Sequence, residues 1–353
     1  MSQLITIAGR GYTVDELRLK AAQNLSYTNL YEQEFWSFLA EWFADTPHVS
    51  VQTSGSTGRP KRLYVKKEHM VSSALMTLKT LGISPGDNAL LCLSAGYIAG
   101  KMMVVRALVG GLNLTVVEPS GTPTIDRDYQ LCAMVPMQVY NLVSLPDDDL
   151  SINRIGQLII GGSPITSTLR DQIKTLTVAC YSTYGMTETV SHVALRRLNG
   201  SDRQRAYYPL DGIRVSLNES GCLVITAPSI TDGPVVTNDL AEIAPDGGFR
   251  ILGRIDNVIN TGGVKVIPED VEAKLSGCTA HAFAVSSIPD DRLGEKVVLV
   301  VEGAADCLFN FDGVLRPYER PKAVIKIDKI PVTVNGKIDR VALRKVIRQG
   351  RVG

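Results

Sequence analysis

Between residues 49 and about 198, short apolar runs of strand character take turns with longer amphipathic ones, and this alternation narrows the possible folds more than any other feature. The strand-like runs are 49–53, 89–93, 112–117, 131–135, 157–160 and 178–183. Apolar residues recur at helical spacing over 68–81, 98–109, 137–143 and 165–176. Strands separated by helices predict a largely parallel α/β sheet flanked by helices. Ahead of it, two short helices are expected at 15–22 and 31–43, the second burying Phe35, Phe38, Leu39 and Trp42. After about Arg203 the pattern breaks into short strands and turns (213–217, 222–225, 248–252). From about Asn257, strands at 282–286, 296–301 and 323–327 mix with helices at 268–275 and 338–349, enough chain for a small α+β domain.

Composition excludes several classes. The chain has 353 residues, 44% hydrophobic and 21% charged, with 37 basic against 36 acidic residues and a net charge of +1. With no basic run there is no nucleic-acid footprint. The Met1-Ser2-Gln3 start carries no basic and apolar leader, so a cytoplasmic protein is expected. The most membrane-like stretch, 89–117, is interrupted by Lys101 and Arg106 and reads as strand, helix, strand, not as a span. Six cysteines without a C-x-x-C pair are expected as reduced core thiols, and the four histidines lack ligand spacing.

The run Thr53-Ser54-Gly55-Ser56-Thr57-Gly58-Arg59-Pro60-Lys61 suits a loop that wraps a polyphosphate. Glycine lets backbone N–H groups approach, hydroxyls donate, and lysine neutralises charge. It is not a standard P-loop, because only Ser56 and Thr57 separate Gly55 from Gly58, and residues 63–65 then alternate like a strand where a P-loop opens a helix.

Further motifs come after it in order. They are Gly161-Gly162-Ser163-Pro164, Tyr184-Gly185-Met186-Thr187-Glu188-Thr189, Thr237-Asn238-Asp239, Gly253-Arg254-Ile255-Asp256, Thr261-Gly262-Gly263-Val264-Lys265 and Asn335-Gly336-Lys337. Each has a plainer reading by itself: a Gly-Gly turn, a capping turn, a surface ion pair, a solvated lysine. Their shared order, from residue 49 to the end, resembles the acyl-adenylate-forming superfamily of acyl-CoA synthetases, peptide-synthetase adenylation domains and luciferases.

That resemblance implies a large N-terminal core over 1–253, a hinge at 254–256 centred on Asp256, and a mobile C-terminal domain over 257–353. It implies ATP and Mg2+ as cofactors and coenzyme A as co-substrate, with Lys61 and the loop hydroxyls on the β- and γ-phosphates. It places Gly161 and Gly162 beside the adenine, Tyr184 stacked on it, Thr187 at the α-phosphate, Glu188 on Mg2+, and Asp239 and Arg254 at the ribose. Lys337 serves adenylate formation, while Gly262, Gly263 and Lys265 line the coenzyme A tunnel. The front end is shorter than is usual in the superfamily, so the pocket is either more open or completed by a second copy of the chain in a homodimer.

Tyr97, Lys101 and Arg106 match the position of the acyl-pocket segment, with Tyr97 where many members carry histidine; Ser191 and His192 come just after the Thr187-Glu188 motif. Cations on an otherwise apolar helix are costly if buried without partners. Either they pair with a second carboxylate on the substrate or they snorkel to the surface. The ensemble is most similar to the o-succinylbenzoate–CoA ligases of menaquinone biosynthesis, which act on an aromatic dicarboxylic acid. Another aryl or fatty acyl-CoA ligase, or an adenylation domain loading a carrier protein, remains open.

Overall fold

The computed structural model describes residues 3–23, 29–52, 62–146, 150–276, 278, 281–303, 311–333 and 337–349. The chain divides into two compact units. The first is Met1–Val215 with Ile225–Val235 and Asp246–Gly248; the second is Ser216–Val224 with Val236–Pro245 and Phe249–Gly353.

The first unit carries strands β1 (Ile5–Ile7), β2 (Arg10–Tyr12), β3 (His48–Gln52), β4 (Arg62–Lys66), β5 (Asn88–Leu91), β6 (Asn113–Val116), β7 (Tyr129–Met134), β8 (Ile155–Ile160), β9 (Ala179–Gly185), β10 (His192–Arg197) and β11 (Tyr208–Pro209). Its helices are α1 (Val14–Ala22), α2 (Leu30–Phe43), α3 (Lys67–Leu81), α4 (Ile98–Gly110), α5 (Pro136–Val143) and α6 (Ser167–Ile173). Among the described residues the main sheet has nine strands in the order β11-β10-β9-β8-β7-β5-β6-β1-β2. The run from β9 to β1 is parallel, as the alternation predicts, and β2, β10 and β11 are antiparallel additions at the two edges. Leu90, Cys132, Leu158 and Cys180 line one core beneath α5 and α6, with Val139, Leu142, Leu169 and Ile173 packed against them.

Several expectations need correction. The chain begins with two strands before its first helix, and β1 pairs in parallel with β6 through Ile5↔Leu114. Strands of three residues are too short to show a period of two. The strand expected at 49–53 is not part of the main sheet. It pairs antiparallel with β4 in a separate two-stranded ribbon. The helix expected at 165–176 is shorter, because Thr166 caps it by accepting from the Leu169 N–H. The helix expected from 338 starts at Arg340. Cys92, Cys132, Cys180 and Cys222 are buried free thiols, but Cys278 is exposed, and Cys307 lies outside the described residues.

Among the described residues, β12 (Arg214–Leu217), β13 (Cys222–Thr226), β14 (Val235–Ile243) and β15 (Phe249–Arg254) form a four-stranded sheet in that order, most of it in the second unit. The other sheet of that unit comprises β16 (Ile259–Thr261), β17 (Val264–Val266), β18 (Phe283–Asp290), β19 (Gly294–Glu302) and β20 (Val324–Ile327), with helices α7 (Pro268–Leu275) and α8 (Arg340–Gln349). Alternation along β19 separates its two faces. Val297, Leu299 and Val301 pack with Val271 and Leu275 of α7, whereas Val298 and Val300 pack with Leu343 and Ile347 of α8. Compactness groups most of the four-stranded sheet with this C-terminal sheet, whereas the hinge expected at Asp256 concerns motion. Among the described residues no helix is long and apolar enough to cross a membrane.

Candidate functional site

The first unit gathers three of the residues singled out in its sequence into one buried polar chain. Arg106, on α4, is 2% exposed; its Nη2 donates to Ser191 Oγ at 3.0 Å and its Nη1 lies 3.6 Å from Met103 Sδ. Among the described residues its Nε has no partner and no carboxylate lies within ion-pair distance. Burial alone pulls this guanidinium down to about 10. Ser191 Oγ is 3.4 Å from His192 Nδ1, and His192 Nε2 is 3.1 Å from Thr77 Oγ1 on α3. Burial first, then the charge of Arg106, holds His192 well below its ordinary range, so its imidazole is neutral. Sequence reasoning missed Thr77, since its partner lies 115 residues away.

Local backbone geometry aims this chain. Strand β9 ends on Tyr184 and Gly185, and beyond it lies a 3-10 turn, Thr187–Thr189. A Cβ on Gly185 would collide with the Ser191 carbonyl oxygen, so only glycine lets β10 return this close. Val190 then adopts φ 66 and ψ −54, with the Ser191 N–H bonded to the Thr189 carbonyl at 2.6 Å. A β-branched residue there carries strain of about 1–3 kcal/mol, a cost found where a turn must point one side chain. Ser191 is the side chain so directed.

Glu188 stands exposed on the turn and Thr187 is half-buried beside it. A free carboxylate oxygen is the donor that a hard cation such as Mg2+ takes, so Glu188 fits that role. The Tyr184 ring lies 5.9 Å from that of Tyr207, which Arg196 covers at 4.8 Å. Gly161 and Gly162 come directly after β8, where the Gly161 N–H bonds the Met134 carbonyl.

Lys101 does not reach the surface, contrary to one of the two expectations. It is 7% exposed, donates to Ser50 O at 2.9 Å and lies 3.6 Å from Glu41 Oε2 and 5.0 Å from the Phe38 ring centroid. Burial lowers its pKa, and the Glu41 carboxylate opposes that shift. Glu41 also accepts the Ser50 N–H at 2.6 Å, so the pair grips both backbone groups of one β3 residue. Tyr97 is 53% exposed at the start of α4, bridged through its backbone to Gln52 at the end of β3. Thr53, Ser54, Gly55, Ser56, Thr57, Gly58 and Lys61 lie outside the described residues.

In the second unit Asp239 and Arg254 face each other across β14 and β15, with Asp239 Oδ1 3.5 Å from Arg254 Nη1. Arg254 Nη2 also reaches Asp256 Oδ2 at 2.9 Å, and Asn238 donates to the same carboxylate at 3.1 Å. The Arg254 guanidinium holds the Asp256 carboxyl below its ordinary range. Gly262 and Gly263 form the two-residue β16–β17 turn with φ 58 and 81, a geometry that demands glycine-like freedom, and Lys265 is exposed beside it. Lys337 is exposed, its N–H donating to Thr333 Oγ1 at 3.3 Å. The two sets of residues therefore sit in different units.

Comparison with known proteins matches residues 13–226 to the AMP-binding enzyme family. The 2-succinylbenzoate–CoA ligase of Listeria monocytogenes is 24% identical over 94% of this chain and 77% of its own length. The solved structure of an acyl-CoA synthetase (AMP-forming)/AMP-acid ligase II-like protein from Dyadobacter fermentans is 36% identical, with a TM-score of 0.64 over 94% of this chain and 98% of that one. The O-succinylbenzoate coenzyme A synthetase of Bacillus subtilis, solved with ATP and magnesium ion, has the same fold at a TM-score of 0.68 and 20% identity, over 83% and 69% of the two chains.

Proposed function

We propose that this chain, which belongs to the AMP-binding enzyme family and is an AMP-forming acid–thiol ligase, activates 2-succinylbenzoate with ATP and passes the acyl group to coenzyme A in the cytoplasm. The observation that carries the choice of acid is Arg106. A buried guanidinium held by one hydroxyl and one thioether, with its Nε unpartnered, favours a substrate that brings a second carboxylate. Lys101 is already engaged by Glu41, so the second charge is assigned to Arg106. The curated relative from Listeria monocytogenes bears the name of a ligase for such an acid.

In the first half-reaction a substrate carboxylate oxygen attacks the α-phosphorus of ATP. The bond to the bridging oxygen breaks and pyrophosphate leaves. The protein contributes positioning and charge neutralisation. Lys61 and residues 53–58 would hold the terminal phosphates, Thr187 the α-phosphate, and Asp239 with Arg254 the ribose. Glu188 would hold Mg2+, which when bound neutralises phosphate charge. Lys337 would meet the charge developing between carboxylate and phosphate. Neutral His192, with a partner at each ring nitrogen, keeps Ser191 directed at Arg106. Rotation about Asp256 would then withdraw Lys337 and bring Gly262 and Gly263 inward, and the thiol of coenzyme A attacks the acyl carbonyl to release AMP.

Pyrophosphate release, measured over a panel of carboxylic acids with ATP, tests this reading. Release that depends on 2-succinylbenzoate, and then coenzyme A-dependent release of AMP, is expected. Release with monocarboxylates but not with 2-succinylbenzoate refutes the choice of acid. Acid-dependent release without any response to coenzyme A points to a carrier-protein thiol.

A further inference from the structure

The second unit contains an ionic cluster that none of these roles uses. Arg340 opens α8 three residues after Lys337, and its guanidinium turns inward to three acceptors on other elements. Nε lies 3.0 Å from Glu269 Oε1, Nη2 lies 2.7 Å from Glu272 Oε2, and Nη1 donates to the Val285 carbonyl at 3.0 Å. Glu272 in turn accepts the Val285 N–H at 2.7 Å. Glu269 Oε1 also accepts from Asn257 Nδ2 at 2.5 Å, and Asn257 closes the 3-10 turn Ile255–Asn257 that contains Asp256. A Cβ on Gly253 would come within 2.5 Å of Glu269 Oε2, so that carboxylate also rests on the backbone leading into the turn.

From Arg340 the path runs back to Lys337 over three residues. Asp339 caps α8 through the Val341 and Ala342 N–H groups, and its own N–H bonds the Pro331 carbonyl at 2.9 Å. Thr333 and Lys337 exchange hydrogen bonds, the Thr333 N–H reaching the Lys337 carbonyl at 2.7 Å. The chain around Asp256 and the backbone at Lys337 are thus tied through one guanidinium. A well-packed hydrophobe stabilises a fold as well as a desolvated ion cluster does. What the planar fork adds is fixed direction at each of its edges.

We propose that Arg340 is a positioning residue for Lys337. The Glu269–Arg340–Glu272 cluster fixes Lys337 to the backbone around Asp256, so that the lysine tracks the setting of that segment. This inference rests on the reading of Lys337 as the adenylation lysine.

The two half-reactions, measured separately, test it: ATP–pyrophosphate exchange with the acid, and transfer from supplied acyl-adenylate to coenzyme A. The variants are Lys337→Ala, Arg340→Lys and Asn257→Ala, with the melting temperature of each recorded. Arg340→Lys keeps the charge but loses the fork. It should slow exchange by about a hundredfold, the scale of an ångström misplacement, and leave the transfer step within about twofold. Asn257→Ala removes one hydrogen bond at the far end of the path. It should shift the same step in the same direction by less, and it carries the test if Arg340→Lys does not fold. Equal loss of both steps, or of neither, overturns the proposal while Lys337→Ala still abolishes exchange alone. Failure of Lys337→Ala to separate the steps overturns the reading of Lys337 itself, and the proposal falls with it.

Discussion

Arg106 in the first unit and Arg340 in the second are both withdrawn from water, but the fold treats them oppositely. Arg340 meets two carboxylates and a carbonyl, one acceptor at each edge of its fork. Among the described residues Arg106 meets a serine hydroxyl and a methionine sulfur, with its Nε left over. A buried cation with matched partners fastens elements together; one whose charge is unmatched by protein is disposed to bind an anion. Under the proposed function Arg340 serves structure and Arg106 serves recognition, and that separation is open to experiment.

The largest expected effect is on folding. Arg340→Met leaves Glu272 buried without its counter-charge and should cost about 3–5 kcal/mol in denaturant unfolding. Arg106→Met, which replaces an unmatched charge with a hydrophobe, should leave the ligand-free protein unchanged or more stable by about 1–4 kcal/mol. Equal destabilisation by the two would erase that separation. In catalysis the order reverses. Arg106→Met should raise the KM for a dicarboxylate by an amount equivalent to about 2–5 kcal/mol, while a monocarboxylate feels little.

Lys101 sharpens the contrast within α4 itself. Lys101→Met leaves the Ser50 carbonyl and Glu41 without their partner and should cost about 1–3 kcal/mol of stability. The KM for the acid should stay near the native value; a selective rise for dicarboxylates would return Lys101 to substrate recognition. The smallest effect concerns His192. Its folded pKa is depressed by burial, so protonation is disfavoured in the folded chain. The unfolded chain takes up a proton near its ordinary value of 6.5. The stability contributed is therefore complete above that pH and lost as pH falls below it. Melting temperatures of native and His192→Asn protein across that interval should converge toward the acid side.

The parallel centre of the main sheet was legible because strands and helices of ordinary length leave distinct periods in sequence. Strands β1 and β2 were not, since three residues establish no period and the parallel partner of β1 lies more than a hundred residues onward. Strand β3 looked like one more strand of the parallel sheet, because pattern reveals a strand but not its neighbour. Ser191 and His192 were reachable from sequence through the motif directly before them. Thr77 and Glu41 were not, as each is an ordinary helix residue until a distant side chain arrives against it.

By itself the sequence determined the order of the motifs, the kinds of side chain they offer and the alternation that stacks the central strands. Those properties are local, set by spacing along the chain. Only the tertiary structure decided which charges are matched, placing Glu41 against Lys101, Glu269 and Glu272 against Arg340, and a hydroxyl against Arg106. The physical reason is that desolvation and ion pairing depend on separation in space, and remote segments supply the groups that set both.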